Sequence, residues 1–148
     1  MMLLAASLHF ASCSKDTQSG PTAVTGEWHL TSVTGLDLAT EDVDVYVVFG
    51  DDTFELYQKL GEGRHYRFGG TYTVSGTSLD GVYSDGTPWG GSYTFSVGEN
   101  GNMLTMVSVN AAGYEETCTY ARETVPDEVK SEAVVLKSSA SGAPVPFL

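Results

Sequence analysis

Basic residues are scarce in this chain, and their scarcity excludes several functions. The 148 residues include 7 Lys+Arg and 19 Asp+Glu, which gives a formal net charge of -12 and a pI of about 4.3. Nucleic-acid binding needs a basic surface that displaces counterions from phosphates, and a polybasic contact with anionic lipid needs one as well. We therefore expect neither a nucleic-acid partner nor a polybasic membrane contact.

Motifs for catalysis, phosphate binding and metal binding are also missing. The sequence has no Gly-x-Ser-x-Gly, no phosphate-binding loop and no dinucleotide fingerprint. His29 and His65 have no second His or Cys at ligand spacing, and we expect both to face solvent. The acidic pairs at positions 42 and 44 and at positions 51 and 52 lack the closing Glu of a calcium loop. We expect no metal and no cofactor, with these acidic pairs as turn and surface charges.

The residues that are plentiful indicate a β-rich domain. Hydrophobic residues make up 41%, and the chain has 17 Gly, 8 Tyr, 6 Phe and 2 Trp. This composition supports a packed core and excludes wholesale disorder. The length suits one domain, and abundant Gly, Thr, Val and Tyr are typical of many strands joined by tight turns.

The first twelve residues have the character of a signal peptide. Their apolar run is too short to span a bilayer, and it ends in Ala11-Ser12-Cys13. This ending resembles the lipobox of bacterial lipoproteins, which implies that Cys13 is acylated and begins the mature chain. Several acyl chains, at about 0.8 kcal/mol per buried methylene, hold a soluble domain on a membrane. The resemblance implies a lipoprotein on the periplasmic or cell-surface face of an outer membrane.

The start of the chain departs from that pattern. Met1–Leu4 has no Lys or Arg, so we expect translation to begin upstream of Met1. The alternative is a short buried segment of the fold with a chance Cys. If Cys13 is acylated, Cys118 is the remaining thiol, and we expect it to be a small buried apolar group. Residues 13–25 are polar and aperiodic, which predicts a flexible tether.

Period-2 alternation between positions 26 and 124 predicts eight short strands. They lie near residues 27–33, 43–49, 53–58, 64–75, 78–84, 91–97, 102–109 and 113–123. The gaps hold no crossover helix, so consecutive strands must form antiparallel hairpins. Because closure removes both exposed edges, we predict an all-β fold, an eight-stranded up-and-down barrel, with an open two-sheet sandwich as the alternative.

Alternation also assigns the side chains to two faces. Residues 102–109 fit two registers, with either Leu104 and Met106 or Met103, Val107 and Val109 inside. The other strands place many aromatic residues on the inward face. The residues that we expect to line a ligand site are Tyr66, Tyr72, Tyr83, Trp89, Tyr93, Tyr114 and Glu116.

Two residues, one on the first predicted strand and one on the last, carry a family resemblance. Gly26-Glu27-Trp28 opens the first strand, and Arg122 lies near the end of the last one. This pattern resembles the lipocalins and their calycin relatives, and the wider sequence resembles small lipocalin-like lipoproteins of Bacteroides-type bacteria. The resemblance implies that Trp28 closes the barrel base with Arg122 across its ring, an arrangement that cation–π attraction stabilises.

Loop lengths distinguish the two ends of the predicted barrel. The longer connections alternate with tight ones, so they gather at the end opposite Trp28, where ligand-binding groups usually lie. One of them carries Trp89, which either stacks on a ligand or folds in as a plug. The Tyr-rich interior either holds a flat or amphiphilic molecule or is filled by side chains. Glu116 is either a general acid or ligand anchor, or a residue at the water-exposed mouth.

The residues after the barrel, 125–148, combine a predicted helix and an apolar end. Thr124 is a candidate N-cap for a helix that ends near Val134 and lies on the barrel wall through Val129 and Ala133. The final residues 144–148 are apolar, and they dock either on the barrel or on a partner.

These patterns favour a membrane-anchored binding protein for a small hydrophobic or amphiphilic ligand. The alternative is an interaction or assembly lipoprotein with a filled barrel and no ligand. An enzyme that uses Glu116 and a Tyr is a distant third hypothesis.

Overall fold

A computed structural model describes residues 22–109, 112–138 and 144–148. The predicted signal peptide, Cys13 and most of the tether lie outside these residues. The elements are β1 (Gly26–Val33), β2 (Val43–Phe49), β3 (Thr53–Leu60), β4 (Tyr66–Ser75), β5 (Ser78–Tyr83), β6 (Tyr93–Gly98), β7 (Met103–Val109), β8 (Glu115–Arg122), α1 (Asp127–Glu132) and β9 (Val134–Val135). A short 3-10 turn, Glu99–Gly101, joins β6 to β7. No helix among the described residues is long and apolar enough to cross a membrane.

Eight of the strands form one closed antiparallel barrel. Their order is β3-β2-β1-β8-β7-β6-β5-β4, and a further pairing of β3 with β4 closes the ring. The closed ring confirms the barrel and excludes the sandwich. The strand bounds agree with the predicted ones to within two residues, because alternation and turn residues are local signals.

The barrel core follows the predicted inward face. Val45, Val47 and Leu56 are fully buried, and so are Leu104 and Met106. Burial of Leu104 and Met106 shows that these two residues of β7 face inward, which decides between the two predicted registers. The outward neighbours of these residues are mostly polar, as expected where one face of a sheet packs on a core and the other meets water.

The floor of the barrel is built around Trp28. The indole Nε1 donates a hydrogen bond of 2.7 Å to the carbonyl oxygen of Val24, which is itself fully buried. The Cζ atom of Arg122 lies 4.2 Å from the centroid of the Trp28 ring. The Arg122 guanidinium also donates to the carbonyl oxygens of Thr25 and Gly101, so it ties three chain segments together under the barrel.

Residues 22–25 belong to this floor, whereas the sequence placed them in the tether. The Thr22 hydroxyl lies 3.1 Å from the hydroxyl of Tyr72, and Val24 belongs to the core cluster. Burial of Val24 and the bond from Trp28 fix this segment against the base.

The C-terminal part of the chain crosses the outside of the barrel. Val129 and Ala133 pack against an outer cluster of Tyr46, Tyr57 and Val125, as the helical spacing predicts. The prediction that Thr124 caps the helix is wrong, because buried Val125 keeps the chain extended and the cap position falls on residue 126. The short strand β9 then pairs in parallel with the first two residues of β4, Tyr66 and Arg67.

Candidate functional site

The barrel interior is the candidate site, and its two ends differ. The connections after β2, β4 and β6 lie at the floor with Trp28. The connections after β1, β3, β5 and β7 form the opposite end, which we call the mouth. The interior between them forms one hydrophobic cluster in which aromatic side chains are numerous. Such an interior accepts apolar groups, and its few polar atoms decide how they are oriented.

Trp89 reaches the interior through an irregular extension of β6. Its N–H donates 2.9 Å to the carbonyl oxygen of Gly81, and the Tyr83 N–H donates 2.7 Å to the carbonyl oxygen of Thr87. Residues 87–89 therefore continue the ladder along β5, and Val82 bridges to Pro88 in this stretch. The alternation of the ladder turns the indole inward, over the bare Cα atom of Gly81.

The Trp89 ring fills part of the interior. It is 5% exposed and meets three aromatic rings edge-on. The centroid distances are 6.4 Å to Phe49, 5.1 Å to Phe54 and 5.9 Å to Tyr93. Edge-to-face contacts of this kind add to the stabilisation from burial. The sequence left two positions open for Trp89, stacked on a ligand or folded in as a plug. The structure shows the indole folded into the barrel.

Two polar atoms inside the barrel are buried without a hydrogen-bond partner among the described residues. They are the indole Nε1 of Trp89 and the hydroxyl of Tyr120. Two other tyrosines of the interior are paired: the Tyr83 hydroxyl donates 2.6 Å to the main-chain oxygen of Leu148, and the Tyr72 hydroxyl donates 2.5 Å to the carbonyl oxygen of Gly50. The two orphan groups are therefore free to bind an acceptor.

Burial keeps the titratable groups of the interior protonated. Desolvation is the main cause that raises the pKa of Tyr83, Tyr93 and Tyr120 above the ordinary value. Desolvation, with a smaller contribution from the charge of Glu116, raises the pKa of the Cys118 thiol to about 12. Near neutral pH these groups are neutral, so the phenols act as hydrogen-bond donors.

Two predicted lining residues do not line the interior. Tyr114 is 73% exposed, and Glu116 is exposed as well. At their level β8 pairs with β7 alone, because the β1–β8 ladder begins only at Val33 and Cys118. The β7–β8 hairpin projects beyond the barrel wall, so both of its faces meet water. The structure therefore does not support Glu116 as a buried general acid in the interior.

The remaining predicted residues lie where alternation puts them. Tyr72, Tyr83 and Tyr93 are buried in the core cluster, and Tyr66 is partly buried against it. Tyr72 lies at the floor, as its contact with Gly50 in the β2–β3 turn shows. Tyr93 contacts the ring of Trp89, and Tyr83 contacts Phe54, which also contacts that ring. These side chains and Tyr120 contribute polar groups to the interior.

Sequence reasoning missed Gln58. This side chain is 1% exposed, and Gln58 is the only polar or charged residue buried to this degree among the described residues. It has the same inward parity as Phe54 and Leu56 on β3, and that parity is the signal that would have identified it.

The last residues of the chain enter the mouth of the barrel. Leu148 is 4% exposed and belongs to the core cluster, with Phe147 packed beside it. The sequence left docking on the barrel and docking on a partner open, and the structure shows the first.

An acidic and histidine cluster lies on the outer wall. Asp44 accepts 2.7 Å from Nε2 of His29 and 2.8 Å from Nε2 of His65, and Nδ1 of His29 lies 3.0 Å from Glu123. Both histidines face outward as predicted, but they are partly buried and paired. No group of three or more potential ligand residues in the described ranges could hold a metal ion.

A shallow pocket of about 380 Å³ also lies on the outer wall, over Gly69 of β4. Val48, Thr53 and the ion pair of Glu55 with Arg67 surround it. Because it is outside the barrel, it is separate from the aromatic interior.

Two solved structures and one family model are similar to this chain. A fatty acid transporter, REP1-NXSQ, is 12% identical, with a TM-score of 0.38 over 69% of this chain and 97% of its own. Fatty-acid-binding protein 1 of Echinococcus granulosus is 13% identical, with a TM-score of 0.38 over 69% of this chain and 98% of its own. No curated protein matches the chain. The model of the lipocalin-like domain family matches residues 24–106, more than half of the sequence. The chain therefore belongs to the lipocalin-like domain family.

Proposed function

We propose that this protein binds a small hydrophobic or amphiphilic ligand inside its barrel. The observation that carries the proposal is the pair of orphan donors, Trp89 Nε1 and the Tyr120 hydroxyl, within a largely apolar interior. A buried polar group without a partner costs about 1–3 kcal/mol. A ligand that brings an acceptor to these donors removes that cost and buries its own apolar part.

The charge of the interior limits the chemistry of the ligand. None of the described residues that are buried is basic. An ionised carboxylate would therefore be held without a counter-charge, which is unfavourable in an apolar setting. A neutral acceptor such as an ester, ether, amide or ketone oxygen fits phenol and indole donors better.

The anchoring of this binding protein is part of the proposal. The Ala11-Ser12-Cys13 motif supports acylation of Cys13 and attachment to the periplasmic or cell-surface face of an outer membrane. Intact mass of protein from its own host tests it. A mass above that of the polypeptide beginning at Cys13, absent from Cys13→Ala, supports the anchor, and an unmodified mass contradicts it.

A second function has its own support. The interior already holds the ring of Trp89 and the side chain of Leu148, and small barrels are often filled by their own side chains. On this alternative the protein is an assembly or interaction lipoprotein with no small ligand.

Native mass spectrometry of protein purified from its own host separates the two functions. We expect an adduct of small-molecule mass that is reduced in Tyr120→Phe, which removes the hydroxyl but keeps the ring. Tyr114→Phe is the matched control, because Tyr114 is exposed. Absence of any adduct, together with no binding of a neutral amphiphile such as monoolein, favours the filled barrel.

A further inference from the structure

Residues 144–148 occupy the mouth in a manner that resembles a bound ligand. Leu148 supplies an apolar group to the core, and its main-chain oxygen accepts 2.6 Å from the hydroxyl of Tyr83. The segment thus combines apolar burial with an acceptor oriented by a phenol.

Gln58 holds the same segment through two main-chain groups. Its Nε2 donates 2.9 Å to the carbonyl oxygen of Val145, and its Oε1 accepts 2.7 Å from the N–H of Phe147. A primary amide buried this deeply is stable only when its hydrogen bonds are made. Because Gln58 is 1% exposed, the pairing is a built recognition site for an extended backbone.

The sequence of the segment suits this site. Pro144 and Pro146 have no N–H and favour an extended backbone. Phe147 does have an N–H, and this is the group that donates to Gln58. The side chain of Val145 is 81% exposed, so the segment is recognised by its backbone and its last two side chains.

We propose that the mouth is a binding site for a short extended apolar segment, that residues 144–148 fill it in cis, and that an amphiphilic ligand enters only by displacing them. The displacement rests on the proposed ligand-binding function, whereas the segment site itself does not.

The proposal also specifies which hydrogen-bonding groups favour binding of a ligand. A displacing molecule leaves Gln58 and Tyr83 without the partners that the segment gave them, and each unmade bond in the interior is costly. A ligand that offers an acceptor to Tyr83 and a donor–acceptor pair to Gln58 therefore displaces the segment at the lowest cost. An amide-containing amphiphile does so, whereas a plain hydrocarbon does not.

Binding of the fluorescent probe N-phenyl-1-naphthylamine to the full chain tests the proposal. We compare Leu148→Asp, which cannot bury its charge, with Val135→Asp, which places the same charge at a 70% exposed position outside the segment. Release of the segment removes the cost of displacing it, so we expect the Kd for the probe to fall about tenfold or more in Leu148→Asp. Val135→Asp should match the unsubstituted protein.

The peptide Ala-Pro-Val-Pro-Phe-Leu, added in trans to Leu148→Asp, should expel the probe. The further substitution Gln58→Leu should weaken binding of the peptide, because its backbone groups lose their partners. If Leu148→Asp does not fold, Gln58→Leu in the otherwise unchanged chain provides the same test, and we expect it to bind the probe more tightly.

The outcomes separate this inference from the proposed function. If folded Leu148→Asp or Gln58→Leu binds the probe no better than Val135→Asp does, and the peptide does not compete, the inference is overturned while ligand binding stands. If the peptide binds but neither the probe nor monoolein does in any variant, the segment site stands and the proposed function fails, together with the displacement.

Discussion

The indole of Trp89 lies directly over the Cα atom of Gly81, in the space that a Cβ atom would fill. A Cβ built there would overlap three atoms of the ring. The ring is held in place by the edges of Phe49, Phe54 and Tyr93. The inward position of Trp89 therefore depends on the absence of a side chain at residue 81.

We expect Gly81→Ala to displace Trp89 and to destabilise the barrel by about 1–3 kcal/mol, as overpacking of a core does. Urea unfolding followed by Trp fluorescence measures the change. Gly90→Ala is the matched control, since nothing lies within 4 Å of a Cβ at that position. Equal stability of the two variants would contradict the account of how Trp89 is held.

Replacement of Arg122 tests the floor. Arg122→Met keeps much of the side-chain length but loses the cation over Trp28 and the bonds to Thr25 and Gly101. We expect a loss of about 2 kcal/mol in the free energy of unfolding. Arg64→Met, in the exposed β3–β4 loop, should change it by less than about 0.5 kcal/mol. A loss of similar size in both variants would count against a special role for Arg122.

The stability of the barrel should fall in alkaline solution. The folded state holds the pKa of the Cys118 thiol at about 12 against an ordinary 9.0, so the unfolded state gives up its proton first as pH rises. The contribution of this group is fully present below pH 9.0 and is lost towards about pH 12, at about 1.4 kcal/mol per pH unit. The raised pKa values of Tyr83, Tyr93 and Tyr120 act in the same direction at still higher pH.

Urea unfolding at a series of pH values measures this fall, with Cys118→Ala as the comparison. The variant should lose less stability than the unsubstituted protein between about pH 9 and about pH 10, where the phenols contribute little. Parallel curves in this range would show that the thiol is not the group responsible.

Asp44→Asn tests the outer histidine cluster. An amide keeps one acceptor in place of two, so one of the bonds from His29 and His65 is lost. We expect a loss of about 1 kcal/mol in the free energy of unfolding. Asp51→Asn, in the exposed β2–β3 turn, should be neutral, and equal effects at the two positions would argue that the cluster contributes nothing.

Much of the barrel could be predicted because its signals are local. The alternation of Val45, Val47 and Phe49 depends on nothing beyond the pleat of one strand, and the turns are marked by Gly and Asp. Tyr114 and Glu116 show where this reasoning ends. Alternation shows which face of a strand a side chain lies on, but it does not show where the neighbouring strand ends. The sequence of a hairpin that projects beyond the barrel therefore has the same pattern as a strand in the barrel wall.

The mouth could not be predicted, because its contacts join distant residues. Gln58 and Phe147 are 89 positions apart, and neither is unusual in its own surroundings. The strand β9 has two residues, which is too short for any periodicity. No local pattern reveals that residues 125–133 lie on the outer wall and that Leu136 then packs against the core cluster.

Thr22, the first described residue, contacts Tyr72 at the floor and so lies on the side opposite the mouth. A lipid on Cys13 would draw that side towards the bilayer, and the intervening residues limit its distance to roughly 30 Å. With such an anchor, the opening would face the aqueous compartment. A ligand would then reach it through water, from a carrier or as a dilute solute, and not directly from the adjacent leaflet.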